Sequence, residues 1–134
     1  MATPSNSEVF KRIWALYAAG RGPEILEHLD PDVEWLPALV APASYRGHEG
    51  VREWARASRR AWKSVTVVLD GVREVDGCLI AAGRISTFDH SGDRVVDTPL
   101  ACVADFRDGR VARAASFLSE DEALAWVSER PALP

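Results

Sequence analysis

Between residues 65 and 118 apolar positions follow a strand rhythm, whereas on either side of that stretch they recur at helical spacing. Val65-Thr66-Val67-Val68-Leu69 is β-branched and apolar, which suits a pleated, half-buried surface. The run continues through Asp70-Gly71 to Val72-Arg73-Glu74-Val75, and Gly71 inside it marks a bulge or sharp bend. Asp76-Gly77 supplies the positive φ angles of a two-residue hairpin. Cys78 to Phe88 forms a second arm, followed by the polar loop Asp89-His90-Ser91-Gly92-Asp93. Arg94 to Arg107 is the third arm, Asp108-Gly109 a further turn, and Arg110 to Leu118 the fourth arm. Arms joined this briefly form an antiparallel meander. Gly71, Gly83 and Pro99 interrupt the long arms, so the sheet is expected to bend strongly.

The flanking segments read as helices. Ser5 and Glu8 have capping-box spacing, and Val9, Phe10, Ile13, Trp14 and Tyr17 share one face of a helix over 5–19 that Gly20 ends. Pro23 opens a short second helix with Ile25, Leu26 and Leu29 on its buried side. Val33-Glu34-Trp35-Leu36 is a short strand stopped by Pro37. Residues 37–46 hold two prolines and three alanines and form either an ordered surface connection or a lid. A third helix runs from about Gly50 to Trp62. Val51, Trp54, Ala55, Ser58 and Trp62 lie on its inner face; Arg52, Arg56, Arg59, Arg60 and Lys63 form a basic ridge outside. That ridge is a solvated face or a contact for an acidic partner. Ser119 and Glu122 repeat the capping-box spacing before a short terminal helix containing Ala123, Leu124, Trp126 and Val127.

Composition narrows the class. At 134 residues, one domain spanning 1–134 with its core at about 5–127 is expected. A chain of this size removes roughly two thirds of its unfolded surface from water. A net charge of −4 argues against nucleic-acid binding. No apolar run approaches the roughly 20 residues of a membrane span, and the first residues show no signal-peptide pattern, so a cytoplasmic protein is expected. Cys78 and Cys102 both lie on strands, and a cytosolic location favours buried free thiols over a disulfide. No Cys-x-x-Cys or His/Cys cluster has zinc spacing, and no nucleotide or haem motif occurs; neither metal nor cofactor is expected.

Early helices and late antiparallel strands define an α+β chain. A curved sheet wrapped around the N-terminal helices leaves a cone-shaped space, the normal place for a small-molecule pocket. This layout resembles the nuclear transport factor 2-like (cystatin-like) superfamily, in particular its SnoaL-like branch. The matching phrases are Ala18-Ala19-Gly20, Leu29-Asp30-Pro31-Asp32-Val33-Glu34-Trp35, Tyr45-Arg46-Gly47-His48-Glu49-Gly50-Val51, Phe106-Arg107-Asp108-Gly109-Arg110-Val111 and Ser119-Glu120-Asp121-Glu122-Ala123-Leu124. The resemblance implies an internal pocket and a homodimer packed through the outer sheet face. It also implies company that includes ketosteroid isomerases, polyketide cyclases, scytalone dehydratases and limonene epoxide hydrolases.

The acid/base groups of those enzymes are largely replaced here. Where the isomerases carry a general-base aspartate the matching position is Trp35; their oxyanion tyrosine falls near Ile13, one turn from Tyr17, and their protonated aspartate near Ala101. The epoxide hydrolases' arginine matches Arg84, but Ser86 and Ser116 stand where carboxylates should be. The cyclases' histidine and aspartate leave His90, in a turn-rich loop, and Asp97, mid-strand. Ile80, Ala82, Arg84, Ser86 and Phe88 share one face. If that face is inward, Arg84 needs an anionic partner, such as Asp97, Asp105 or a ligand; if not, Arg84 is a rim salt bridge. Asp97 is likewise a general base or an outward aspartate paired with Arg94 or Arg113. The candidate catalytic residues are thus Arg84 and Asp97, and the candidate pocket residues Trp14, Tyr17, Trp35, Trp54, Ser86 and Ser116. Two functions from different classes stay open: a cofactor-independent isomerase, cyclase, dehydratase or hydrolase acting on a small hydrophobic molecule, and a non-catalytic binding or dimeric interaction module.

Overall fold

The computed structural model describes residues 3–40 and 44–133. Helix α1 spans Asn6–Ala18, and Ser5 and Glu8 form the full capping box at its start. Gly20, at φ +77°, turns the chain into a 3-10 helix, Gly22–His28, with Pro23 in its first turn. Strand β1, Leu29–Leu36, is longer than the apolar run alone predicts because it begins before the Asp30-Pro31-Asp32 segment. Strand β2, Tyr45–Arg46, leads into α2, Gly47–Ala61. The lid reading falls partly on residues 41–43, which lie outside the described residues. The meander is β3 Ser64–Val75, β4 Cys78–Phe88, β5 Arg94–Arg107 and β6 Arg110–Phe117; α3, Glu120–Glu129, closes the chain.

The six strands lie in the order β2-β1-β6-β5-β4-β3. The sheet is mixed rather than wholly antiparallel, since β1 runs parallel to β6. Local alternation carries no information on direction. The α2 crossover carries the chain from β1 to the far edge, and the meander then works back until β6 arrives beside β1. The β3–β4 ladder slips between Leu69 and Val72, at the expected Asp70-Gly71 bulge. Gly83 sits against that bulge, where a Cβ would come within 1.8 Å of the Val68 carbonyl oxygen; only glycine fits this approach. Pro99, by contrast, pairs with Arg84 in unbroken register. Asp76 and Gly77, and Asp108 and Gly109, adopt the positive φ values of the two hairpin turns.

Each face of the sheet has its own cover. On the concave side, Val9, Phe10, Ile13 and Trp14 of α1 and Val51, Trp54 and Ala55 of α2 pack with Val33, Trp35, Ile85, Leu100, Cys102 and Ala104. On the convex side, Ala123 and Val127 of α3 cover Cys78, Ile80, Ala101 and Val103. The two thiols are free and buried on opposite faces. Beneath α3, Asp105 accepts from Arg113 Nε at 3.0 Å and from Arg130 Nη2 at 3.0 Å; Arg113 and Arg130 also donate to the carbonyls of Pro131 and Asp76. No described helix is long and apolar enough to cross a membrane.

Candidate functional site

The concave side carries an aromatic wall. Trp14 and Tyr17 come from α1, Trp35 from β1 and Trp54 from α2. Tyr17 stacks on Trp54 with centroids 4.6 Å apart, Trp54 tilts against Trp35 at 5.0 Å, and Trp35 stacks with Trp14 at 6.3 Å. Offset and tilted ring pairs of this kind hold one another rigidly. Ser116 on β6 faces the same side, opposite Cys102, with its hydroxyl 3.8 Å from the thiol sulfur. The structure therefore brings Trp14, Tyr17, Trp35, Trp54 and Ser116 to one side of the sheet. At the inner end the rings nearly fill the space. A cleft of about 20 Å³, room for one water, is left among Trp14, Tyr17, Leu39, Trp54, Leu100 and Ser116.

A larger hollow opens on the other side of Tyr17. It holds about 160 Å³ between the C-terminal ends of α1 and α2, the 3-10 helix and the start of β3. Small residues make it: Ala18, Ala19, Gly20 and Gly22 on one wall and Ala55 on the other, with Trp62 and Val65 closing it. On its lining Tyr17 Oη donates to Ser58 Oγ at 3.2 Å. Burial pushes the Tyr17 phenol above its ordinary value, and the Ser58 bond only partly offsets this. Arg59 and Lys63 belong to the lining as well. Among the described residues neither this hollow nor the inner cleft is lined by a carboxylate or an imidazole. Burial also pushes the Cys102 thiol up to about 12, so it offers no thiolate nucleophile at neutral pH.

Arg84, Ser86 and Asp97 lie elsewhere. The β3–β4–β5 register sets Val67 and Ile85 on the concave face, and therefore Arg84, Ser86 and Asp97 on the convex face. Of the two readings left open for Arg84 and Asp97, the register gives the one outside the cone, and Ser86, expected among the pocket residues, lies with them. They do meet one another there. Asp97 accepts from Arg84 Nε at 2.8 Å and from Ser86 Oγ at 3.3 Å, with Arg94 at 3.5 Å. The Arg84 and Asp97 side chains are 56% and 34% exposed. Arg84 beside it, despite an opposing desolvation effect, holds the Asp97 carboxyl below its ordinary range, as a surface ion pair does and a general base does not. The register likewise puts Leu100 and Cys102, not Ala101, on the concave side. His90 stays in its exposed loop, its Nε2 3.2 Å from the Arg60 carbonyl oxygen.

A family model described as the SnoaL-like domain matches residues 10–114, which include the aromatic wall and four of the five long strands. The chain belongs to the SnoaL-like domain family. No curated protein matches it in sequence. Solved structures match its fold. A putative SnoaL-like polyketide cyclase from Jannaschia sp. CCS1 superposes with a TM-score of 0.66 at 16% identity, over 98% of this chain and 99% of that one. A protein of ketosteroid isomerase-like fold from Catenulispora acidiphila DSM 44928, solved in complex with trimethylamine, gives 0.70 at 15% identity, over 95% of each. TerC co-crystallised with polyporic acid gives 0.74 at 16% identity, over 92% of this chain and 98% of that one. At these identities the likeness establishes the fold: an α+β, nuclear transport factor 2-like member of the SnoaL-like family, with a mixed, curved, open sheet.

Proposed function

We propose that this SnoaL-like protein binds a small ring-shaped molecule in the hollow beside Tyr17, and that it does so as a binding protein rather than as an acid/base catalyst. One observation carries the reading: among the described residues the hollow and the cleft behind it are lined by rings, aliphatic and small residues, hydroxyls and the two cations Arg59 and Lys63, without a carboxylate or imidazole. Isomerisation, cyclisation or dehydration needs a group that takes a proton from carbon. Tyr17, its phenol pushed up by burial, is a hydrogen-bond donor in this setting and not a base. The free volume of about 160 Å³ compares with the ~150 Å³ of an apolar cavity that takes up benzene. Two neighbours of the fold that were crystallised with polyporic acid and with trimethylamine support a small organic molecule as the class of ligand. A homodimer through the convex face is part of the same proposal, since Val68 and Val95 stand 56% and 55% exposed beside the part of that face that α3 leaves open.

The test is a titration followed by tryptophan fluorescence, with a panel of one-ring and two-ring compounds against the parent and Ala55→Trp. Ala55 lines the hollow and is already closed off on the Gly22 side, where a Cβ on Gly22 would lie 3.3 Å from Ala55 Cβ, so an indole at position 55 has to turn into the hollow. Saturable binding by the parent and none by Ala55→Trp is the expected outcome. Equal binding by a folded Ala55→Trp variant would place the site elsewhere and end the proposal.

A further inference from the structure

The basic ridge of α2 is unevenly neutralised. Toward its N-terminal end, Arg52 and Arg56 pair with Glu49 at 3.1 and 3.4 Å. Toward its C-terminal end, Arg59 and Lys63 line the hollow, and no described carboxylate lies within salt-bridge distance of either. The hydroxyl of Ser58 accepts from Tyr17 on the same lining, and its own hydrogen meets no acceptor among the described residues. From these facts, and on the reading that the hollow is a binding site, we propose that its ligand carries an anion. The ring would sit in the hollow against Tyr17, Trp62 and Val65, and a carboxylate or comparable oxyanion would lie at Arg59 and Lys63, within reach of the Ser58 hydroxyl.

The opposing field must be weighed. The C-terminal ends of α1 and α2 both point to this region, and each is equivalent to about half a negative charge at most. Several of the carbonyls responsible are already occupied: Ala15, Leu16 and Tyr17 accept from Ala19, Arg21 and Gly20, and Ser58 accepts from Trp62. Within the lining of the hollow itself, two full positive charges exceed two half charges, on a chain whose formal charge is −4. A local positive field on an acidic protein selects anions from solution at that one place. The helix ends explain why cations are favoured here; they do not supply a counterion. The small hollow beside the two cations does have room for one.

Isosteric pairs test this: benzoate against benzamide, and cyclohexanecarboxylate against its amide, titrated into the parent, the double variant Arg59→Gln/Lys63→Gln, and Ala55→Trp. The parent is expected to bind each anion about tenfold more tightly than its amide at low salt, an advantage that shrinks as salt screens it. The double glutamine variant is expected to bind acid and amide alike, and Ala55→Trp neither. Amides that bind the parent as well as the acids overturn the anion while leaving the hollow in place. Binding of neither member by the parent overturns the hollow and the anion together. An advantage that survives in the double variant assigns the selectivity to other residues and likewise overturns the inference.

Discussion

The two faces of this sheet handle polar groups in opposite ways. Under α3 the convex face buries a three-member ionic cluster, with Asp105 5% and Arg113 4% exposed. The concave face buries rings and hydroxyls, and the hollows behind it carry charge only at the rim, in Arg59 and Lys63. A buried carboxylate is tolerable where every lone pair has a donor. Asp105 has that arrangement because Arg113 comes from the adjacent strand and Arg130 from just beyond α3. The cluster thus fastens the terminal helix to the sheet, and Arg113 also lies over the Trp126 ring at 5.4 Å. Among the described residues the concave face has no comparable set of partners. The difference is one of means: buried charge fastens α3 to the convex face, whereas rings and small residues shape the concave one.

The sharpest way to break this contrast is to remove the shared carboxylate. Asp105→Ala leaves two guanidinium groups beneath α3 without their acceptor, and loss of one partner of a buried pair costs about 3–5 kcal/mol. Chemical denaturation should show that loss, and amide exchange should show α3 opening ahead of the concave core. A variant with parental stability would mean that solvent reaches the cluster.

On the concave side the corresponding experiment has the opposite sign. Thr87 is fully buried on β4, beside Val65 across the strands, and its hydroxyl has no described partner. An unsatisfied buried hydroxyl costs about 1–3 kcal/mol, and valine has the same shape without it. Thr87→Val is therefore expected to raise stability by about 1 kcal/mol in the same denaturation assay. A loss of that size would show that the hydroxyl is bonded in solution, and that the concave side is less dry than its lining suggests.

How legible these features were depends on what sets them. The hairpins at Asp76-Gly77 and Asp108-Gly109, the capping box of Ser5 and Glu8, and the bulge at Gly71 are local, and local chemistry is enough to read them. The parallel approach of β1 to β6 is decided by where a crossover lands, which no residue of β1 encodes. Facing stayed open at β4 for a physical reason. Its first half is covered on both sides, by α3 over Cys78 and Ile80 and by the concave core over Leu79 and Ala81. Apolar residues therefore stand on both faces, and those aligned with Arg84 left the facing of its side undecided. The α3 cover ends before Arg84, and the chain shows this only once α3 is placed. The hollow left a fainter trace, in the small residues Ala18, Ala19, Gly20, Gly22 and Ala55, which report a space only after the ends of two helices have been brought together.

The smallest expected effect belongs to the pair first read as catalytic. Arg84 holds the Asp97 carboxyl below its ordinary range, so the folded chain binds that proton less readily than the unfolded one. The pair's contribution is then full above the ordinary aspartate value of about 3.9 and is lost as the pH falls through the depressed native value. Both side chains are substantially exposed, and solvent and salt screen exposed pairs. Arg84→Ala should leave the melting midpoint indistinguishable from the parent at neutral pH, with any separation of the two curves confined to acid below about pH 4. Ligand binding should be equally unmoved, because the convex face lies across the sheet from the hollow. A loss of binding in Arg84→Ala with its fold intact would return the site to the convex face and undo the contrast between the two sides.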